Sequence, residues 1–271
     1  MQRYFENQNL ADDYLRFRTG YSPAVVDKAI NFLAEKKTGP YHFALDVGCG
    51  PGQLTRLLGA HFTSVTGMDI SPAQIQAAKT AQNPENVTFR VGQAESLPVN
   101  DASVDLITSA TASHYYDWPV FEKEVDRALK ANGCLALAFY DLIYIDHPDG
   151  ETKKKLTTCI DNYLNYNNDQ QLRASTPDGY FVDFHRLRVS YKESTSCHVD
   201  VRQETTVFEF VECYKTYACN FLYLKDHPET TRFVDFQNSI MSILGGGDPK
   251  TTKVTATKRV FMYIARKPAD N

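Results

Sequence analysis

A doubly wound α/β fold with a mainly parallel, seven-stranded sheet is predicted by three observations on this chain of 271 residues. Short apolar runs alternate with segments of helical period, Ser-Pro pairs mark helix starts, and three glycines follow the first apolar run. Strands alternating with helices imply right-handed crossovers and a sheet covered on both faces.

In order, SPAVVDKAINFLAEKK (22–37) has Ser at the cap, Pro at the first helical position and Val26, Ile30 and Leu33 along one face, which predicts a helix. YHFALDV (41–47) reads as a buried strand and GQLTRLLGAHF (52–62) as a helix starting at the glycine turn. The pattern repeats with strand TSVTGMD (63–69), helix SPAQIQAAKTAQ (71–82), and strands NVTFRV (86–91) and VDLITSA (104–110). Helix VFEKEVDRALK (120–130) is expected to stop at Asn132-Gly133, before strand CLALAFY (134–140).

The rhythm then breaks. Residues 151–166 read as a charged helix, and the rest of 141–200 is polar and dotted with aromatics. HVDVRQETTVFEF (198–210) reads as a strand, VECYKTYACNFLYLK (211–225) and ETTRFVDFQNSIMSIL (229–244) as helices, and ATKRVFMYIARK (256–267) as a late strand. A free two-stranded unit is marginally stable, so the late strands are expected to return antiparallel to the edge of the first sheet. The residues between become a cap over the carboxyl ends of the strands, where such sheets bind ligands.

Composition narrows the partners. A net charge of −4 and a pI near 6.0 provide no concentrated basic face, so nucleic acid is not expected. The N-terminus lacks a continuous apolar core, and the longest apolar run, CLALAF (134–139), is too short to span a bilayer. A soluble, cytoplasmic protein with no membrane partner is the expectation, as monomer or homodimer. The six cysteines form no CxxC pair, and His185, His198 and His227 share no ligand spacing, so neither a disulfide framework nor a metal is expected. The lysine run 153–155 reads as a solvated helix face.

The turn in ALDVGCGPGQLTRLL (44–58) has the spacing G-x-G-x-G, with Gln53 where a dinucleotide fingerprint puts its third small residue. Asp46, two residues before Gly48, opposes a pyrophosphate and favours a cationic group. Asp69 ends the second strand, where a carboxylate accepts hydrogen bonds from ribose hydroxyls. A ribose with a cationic, amino-acid-like end describes S-adenosylmethionine. A nicotinamide oxidoreductase is the competing class, and Asp46 and Gln53 speak against it.

LDVGCGPG, VTGMDIS, VGQAESLP and VDLITSATASHYYDW, in that order, resemble the class I S-adenosylmethionine-dependent methyltransferases over about residues 40–140. The resemblance implies a Rossmann-like fold, S-adenosyl-L-methionine as cofactor and S-adenosyl-L-homocysteine as product. It implies that Gly48 and Gly50 meet the methionine part, with Asp46 ordering the turn or partnering the ammonium. Asp69 would hold the ribose and Ile70 would pack on the adenine. The Ala94 amide and Glu95 carboxylate would line the adenine edge, and Ser109 would offer its carbonyl to the ammonium. Gln93 departs from the aspartate common before Ala94.

The N-terminal LADDYLRFRTGYSP, with SATASHYYDW and the final VFMYIARKP, resembles the trans-aconitate methyltransferase group, whose members act on small acids; Thr19 departs from the proline of that pattern. It implies that Tyr14 and Arg18 fold over the cofactor, where a guanidinium can fork onto a carboxylate. A surface arginine beside tyrosines that pack the arm is the plainer alternative. The implied organisation is one domain over 1–271: an arm and helix (1–39), a cofactor-binding core (40–140), substrate-cap insertions (141–200 and 211–250) and a C-terminal strand (251–271).

SHYYDW follows the fourth strand and supplies the catalytic candidates. His114 would act as a base or a substrate donor, or else start a helix, and Tyr115 and Tyr116 would line the pocket. The expected activity is methylation of a small molecule, at a carboxylate oxygen. N- or C-methylation, or cofactor binding without turnover, are the alternatives.

Overall fold

A computed structural model describes residues 6–140, 142–166 and 187–269. His185 and much of the expected cap at 141–200 lie outside the described residues.

The chain forms a doubly wound α/β sheet. β1 (Tyr41–Val47), β2 (Phe62–Asp69), β3 (Val87–Val91), β4 (Val104–Ala110) and β5 (Leu129–Tyr140) are parallel, in the order β3-β2-β1-β4-β5. β8 (Lys253–Arg266) lies antiparallel beside β5, with Tyr140 opposite Val260. β7 (Glu193–Thr206) pairs along the whole of β8, so it occupies the edge opposite β5. The three-residue β6 (Tyr144–Asp146) pairs with Thr255–Thr257 of β8 and therefore continues the line of β5. Among the described residues, eight elements thus make a sheet seven strands wide, with the late strands antiparallel as expected.

Alternating side chains feed two cores. Ala44, Leu106 and Ala136 face Val26, Leu33 and Leu58, while Leu45, Ile107 and Leu135 face Phe121 and Val125. Helices start where their caps dictate. Ser22 accepts from the Ala24 amide ahead of α2 (Pro23–Ala34), and Ser71 accepts from the Gln74 amide ahead of α4 (Pro72–Thr80). The turn after β1 leads into the short α3 (Gln53–Leu58). α1 (Gln8–Phe17), capped by Asn7, packs Ala11 and Leu15 on Ala73 and Ala77 of α4, which ties the N-terminal arm to the carboxyl side of the sheet.

Several boundaries differ from the sequence reading. The helix expected over 120–130 is α5 (Trp118–Ala128), and β5 already begins at Leu129, because the backbone turns extended there and shifts register against β4. The strand expected over 198–210 runs from Glu193 to Thr206, so residues 193–200 of the expected cap belong to the sheet. Thr206 and Glu209 form a reciprocal capping box that starts a helix at Val207. The helix expected over 211–225 is two, α7 (Val207–Lys215) and α8 (Ala218–Asp226). α6 (Gly150–Tyr166) and α9 (Arg232–Ile243) fall where predicted, and no helix among the described residues is long and apolar enough to cross a membrane.

Candidate active site

The strand order reverses at β1 and β4, which opens a crevice at their carboxyl ends. Gly48 (φ +64°), Gly50 (+52°) and Gly52 (+82°) carry the chain around it in the left-handed region that favours glycine. At Gly48 a side chain would also collide with the Cβ of Ala112 and the hydroxyl of Tyr116. The turn is held from β2: Gly50 N–H donates to Asp69 Oδ2 (2.9 Å), Ser71 N–H to Asp69 Oδ1 (2.9 Å) and Cys49 N–H to the Met68 carbonyl (3.0 Å).

Asp46 lies beneath the turn, fully buried, where it accepts from Thr55 Oγ1 on α3 (2.6 Å) and Thr108 Oγ1 on β4 (2.7 Å). These contacts tie α3 to β4 beneath the turn. Burial pushes its carboxyl up to about 6 against the pull of the two threonines. Between pH about 4 and about 6 the folded state keeps a proton that the unfolded chain has released, so Asp46 lowers stability as pH rises, by about 3 kcal/mol over that window. Asp46→Asn keeps the shape and removes the charge. Urea unfolding across this range is expected to show a smaller decline for Asp46→Asn than for the wild type. An equal decline would assign it to other groups, such as Asp69, whose pKa burial also raises.

The β4 end is bolted to the β1 end. Tyr116 Oη donates to the Val47 carbonyl (2.9 Å) and lies 2.8 Å from Ser109 Oγ. Thr111, β-branched yet at φ +54°, stands 2.8 Å from Ala138 through its amide and 3.0 Å from Tyr21 Oη through its hydroxyl. Such a conformation costs of order 1–3 kcal/mol and is a common mark of functional loops. Of the residues expected at the adenine, Ala94 is buried and Ile70 half-buried, while one oxygen of Glu95 accepts from the Asp117 amide (2.9 Å) at the start of α5.

His114 and Tyr115 sit on a 3-10 turn (Ser113–Tyr115) with their rings 4.0 Å apart. Desolvation pushes the imidazole down to about 3, so it is neutral throughout the ordinary pH range.

A profile of the methyltransferase domain matches residues 45–137, which span the glycine turn, Asp69, the β3 end and the β4 end. Residues 45–137 form a methyltransferase domain. A candidate methyltransferase of Dictyostelium discoideum is 26% identical over 265 residues, covering 96% of this chain and 94% of its own. A candidate type II methyltransferase from Anaeromyxobacter dehalogenans has the same fold, with a TM-score of 0.71 at 21% identity over 94% of this chain and all of its own. The Haemonchus contortus phosphoethanolamine N-methyltransferase 2, solved with phosphomonomethylethanolamine and S-adenosylhomocysteine, shares the fold at a TM-score of 0.51 and 14% identity, over 99% of this chain and 61% of its own.

The N-terminal arm meets β4 and β5 at the crevice, where Tyr21 bonds Thr111 and Arg18 lies among protein partners. Its Nε donates to Thr216 Oγ1 (2.8 Å) and one terminal nitrogen to Tyr140 Oη (2.9 Å), and the guanidinium stacks between the rings of Tyr14 (4.7 Å) and Tyr217 (3.8 Å). The plainer alternative of a surface arginine is overturned, since Arg18 is buried. Sequence reasoning missed Thr55 and Thr108, whose only signal is a hydroxyl in an apolar helix or strand. It also missed Lys258, a charge in phase with the buried row Val254, Ala256, Val260, Met262 and Ile264 of β8.

Proposed function

We propose that the protein transfers the methyl group of S-adenosylmethionine to a carboxylate oxygen of a small acid, in keeping with the resemblance of its N-terminal segment to the trans-aconitate methyltransferase group. The observation that carries this reading is His114. It occupies the place after β4 where a base would stand, and burial holds it too weakly basic to take a proton from an amine or a phenol. A carboxylate is ionised at neutral pH and needs no base.

The cradle fits the cofactor: a Cβ at Gly50 would come no nearer to its surroundings than 3.8 Å, at Gln74 Oε1, so room is left beside the turn, and the Gly50 amide already donates to Asp69. When bound, the cofactor supplies an activated methyl group on sulfur for in-line displacement. Asp69 accepts from the ribose hydroxyls, Ile70 packs on the adenine, and Ala94 and Glu95 flank its edge. The Ser109 carbonyl receives the ammonium, while Tyr14 and Arg18 close the arm over the site. His114 and Tyr115 shape the acceptor pocket and exclude water. The protein's work is orientation, which can lower a barrier by about 7–11 kcal/mol.

Incubation with methyl-labelled cofactor and a panel of small acids and amines tests the reading. A carboxylate ester releases labelled methanol in mild base, whereas N- and C-methyl products keep their label. A base-stable product would overturn the proposal. For His114→Asn, the pH profile of kcat is expected to match that of the wild type. Loss of an ionisation between about pH 5 and 8 in the variant would restore the imidazole as a base.

A further inference from the structure

Two cations are buried together on the β5–β8 side of the crevice. Arg18 is 8% and Lys258 4% exposed, and neither has an acidic partner among the described residues. Both lie on Tyr140. Arg18 donates to its hydroxyl, and the Lys258 ammonium stands 4.0 Å from its ring centre while donating to the Thr19 carbonyl. The position follows from register: Val260 pairs with Tyr140, the last residue of β5, so Lys258 projects from β8 beyond that strand's carboxyl end. Around the pair, Thr19 Oγ1 and Tyr217 Oη are buried without a hydrogen-bond partner among the described residues, and Thr19 is 7% exposed. A row of donors with two positive charges and no acid is the complement of an anion.

We propose that Arg18 and Lys258 form a subsite that binds a carboxylate of the methyl acceptor and so fixes which acids are methylated. The inference rests on the reading of the protein as a methyltransferase of small acids. The cofactor carries a carboxylate too, and Arg18 lies close to its turn, since the Arg18 carbonyl accepts from Gln53 Nε2 (3.1 Å) at the start of α3. Lys258 stands apart, on β8 beyond β5, and the comparison of S-adenosylhomocysteine with 5′-methylthioadenosine separates the two sources.

The groups facing Lys258 are Arg18, Tyr21 and the Thr19 carbonyl from the arm, Tyr140 from β5 and Cys213 from α7. Burial, with Arg18 adding to it, lowers the Lys258 ammonium to about 7, while burial raises the Cys213 thiol and the Tyr140 phenol. Anion binding is thus expected to strengthen as Lys258 gains its proton.

Thermal unfolding with acetate, succinate and citrate, each compared with a control at the same pH and ionic strength, tests the subsite. At least one of the three is expected to raise the wild-type Tm at pH about 6.5 and to raise it less at about 8.5. In Lys258→Met the rise disappears, while calorimetry with S-adenosylhomocysteine gives a Kd within about twofold of wild type. The wild-type pH comparison holds even if that variant does not fold. No rise with any of the three acids, or an equal rise in Lys258→Met, overturns the proposal. A tenfold loss of S-adenosylhomocysteine affinity in Lys258→Met, with 5′-methylthioadenosine unaffected, also overturns it and assigns the pair to the cofactor's carboxylate. A base-stable methylated product with the acid response intact sinks the proposed reaction and leaves the anion subsite standing.

Discussion

Gly48→Ala is expected to reduce S-adenosylhomocysteine affinity at least about 100-fold, which is about 2.7 kcal/mol, and to lower the Tm by several degrees. Two penalties add at this position. A residue with a Cβ in the left-handed region costs about 1–2 kcal/mol, and Gly48 has φ +64°. The added carbon also meets Ala112 Cβ and Tyr116 Oη. The tyrosine can swing away only by giving up Val47 and Ser109, and the alanine follows Thr111, whose own backbone is already strained. Tyr116→Phe in the same chain therefore does not rescue Gly48→Ala. Gly150→Ala, at an open position at the start of α6, is the control that keeps both affinity and Tm. Calorimetry that finds Gly48→Ala within threefold of wild type would show that the turn is not the cofactor's seat.

Asp105→Ala is expected to cost about 3–4 kcal/mol of folding stability without altering cofactor affinity. Asp105 is fully buried near the start of β4, at the opposite end of that strand from the crevice. Its carboxylate accepts from the amides of His42 (2.9 Å) and Phe43 (3.0 Å) and pairs with Lys37 (2.7 Å) and Lys130 (2.9 Å). The two lysines can turn to solvent when it is removed, but the amides cannot, and each buried donor left unsatisfied costs about 1–3 kcal/mol. Burial works to raise this carboxyl, but the lysines and amides outweigh it and hold it down at about 2. The folded pKa lies below the unfolded one, so the contribution is complete above pH about 4 and is lost as pH falls toward about 2. Urea unfolding should show the gap between wild type and Asp105→Ala narrowing through that window. A gap below about 1 kcal/mol at neutral pH would mean that water satisfies the amides.

The glycine turn and the strand ends around it were legible because their signals are local. The three glycines, Asp69 and the residues after β4 stand within a few positions of the strand ends that place them. The buried cluster of Arg18 and Lys258 was not, since its contacts close over long separations: Arg18 meets Thr216 across 198 residues, and Lys258 meets Thr19 across 239. No window along the sequence contains both partners. The boundary at Thr206 is a different kind of miss. The T-x-x-E pattern was present, but the alternation of VFEF matched a strand, and only the pairing limit of β7 with β8 settles the competition. Lys258 sits between these cases, because a lysine in phase with buried valines marks a charge inside the fold without saying what it awaits.

The place of β8 in the sheet bears on how the molecule comes to be made. This strand is late in the chain yet interior in the sheet, between β5 and β7. During synthesis the parallel strands β1 to β5 emerge well before it, so β5 waits as a bare apolar edge and β7 has no partner until residues 253–266 leave the ribosome. Such an edge invites pairing with another chain. The slow step of assembly should then be the insertion of a hairpin-like β7–β8 pair against β5, and a nascent chain stalled before residue 253 should depend on chaperones far more than the finished protein.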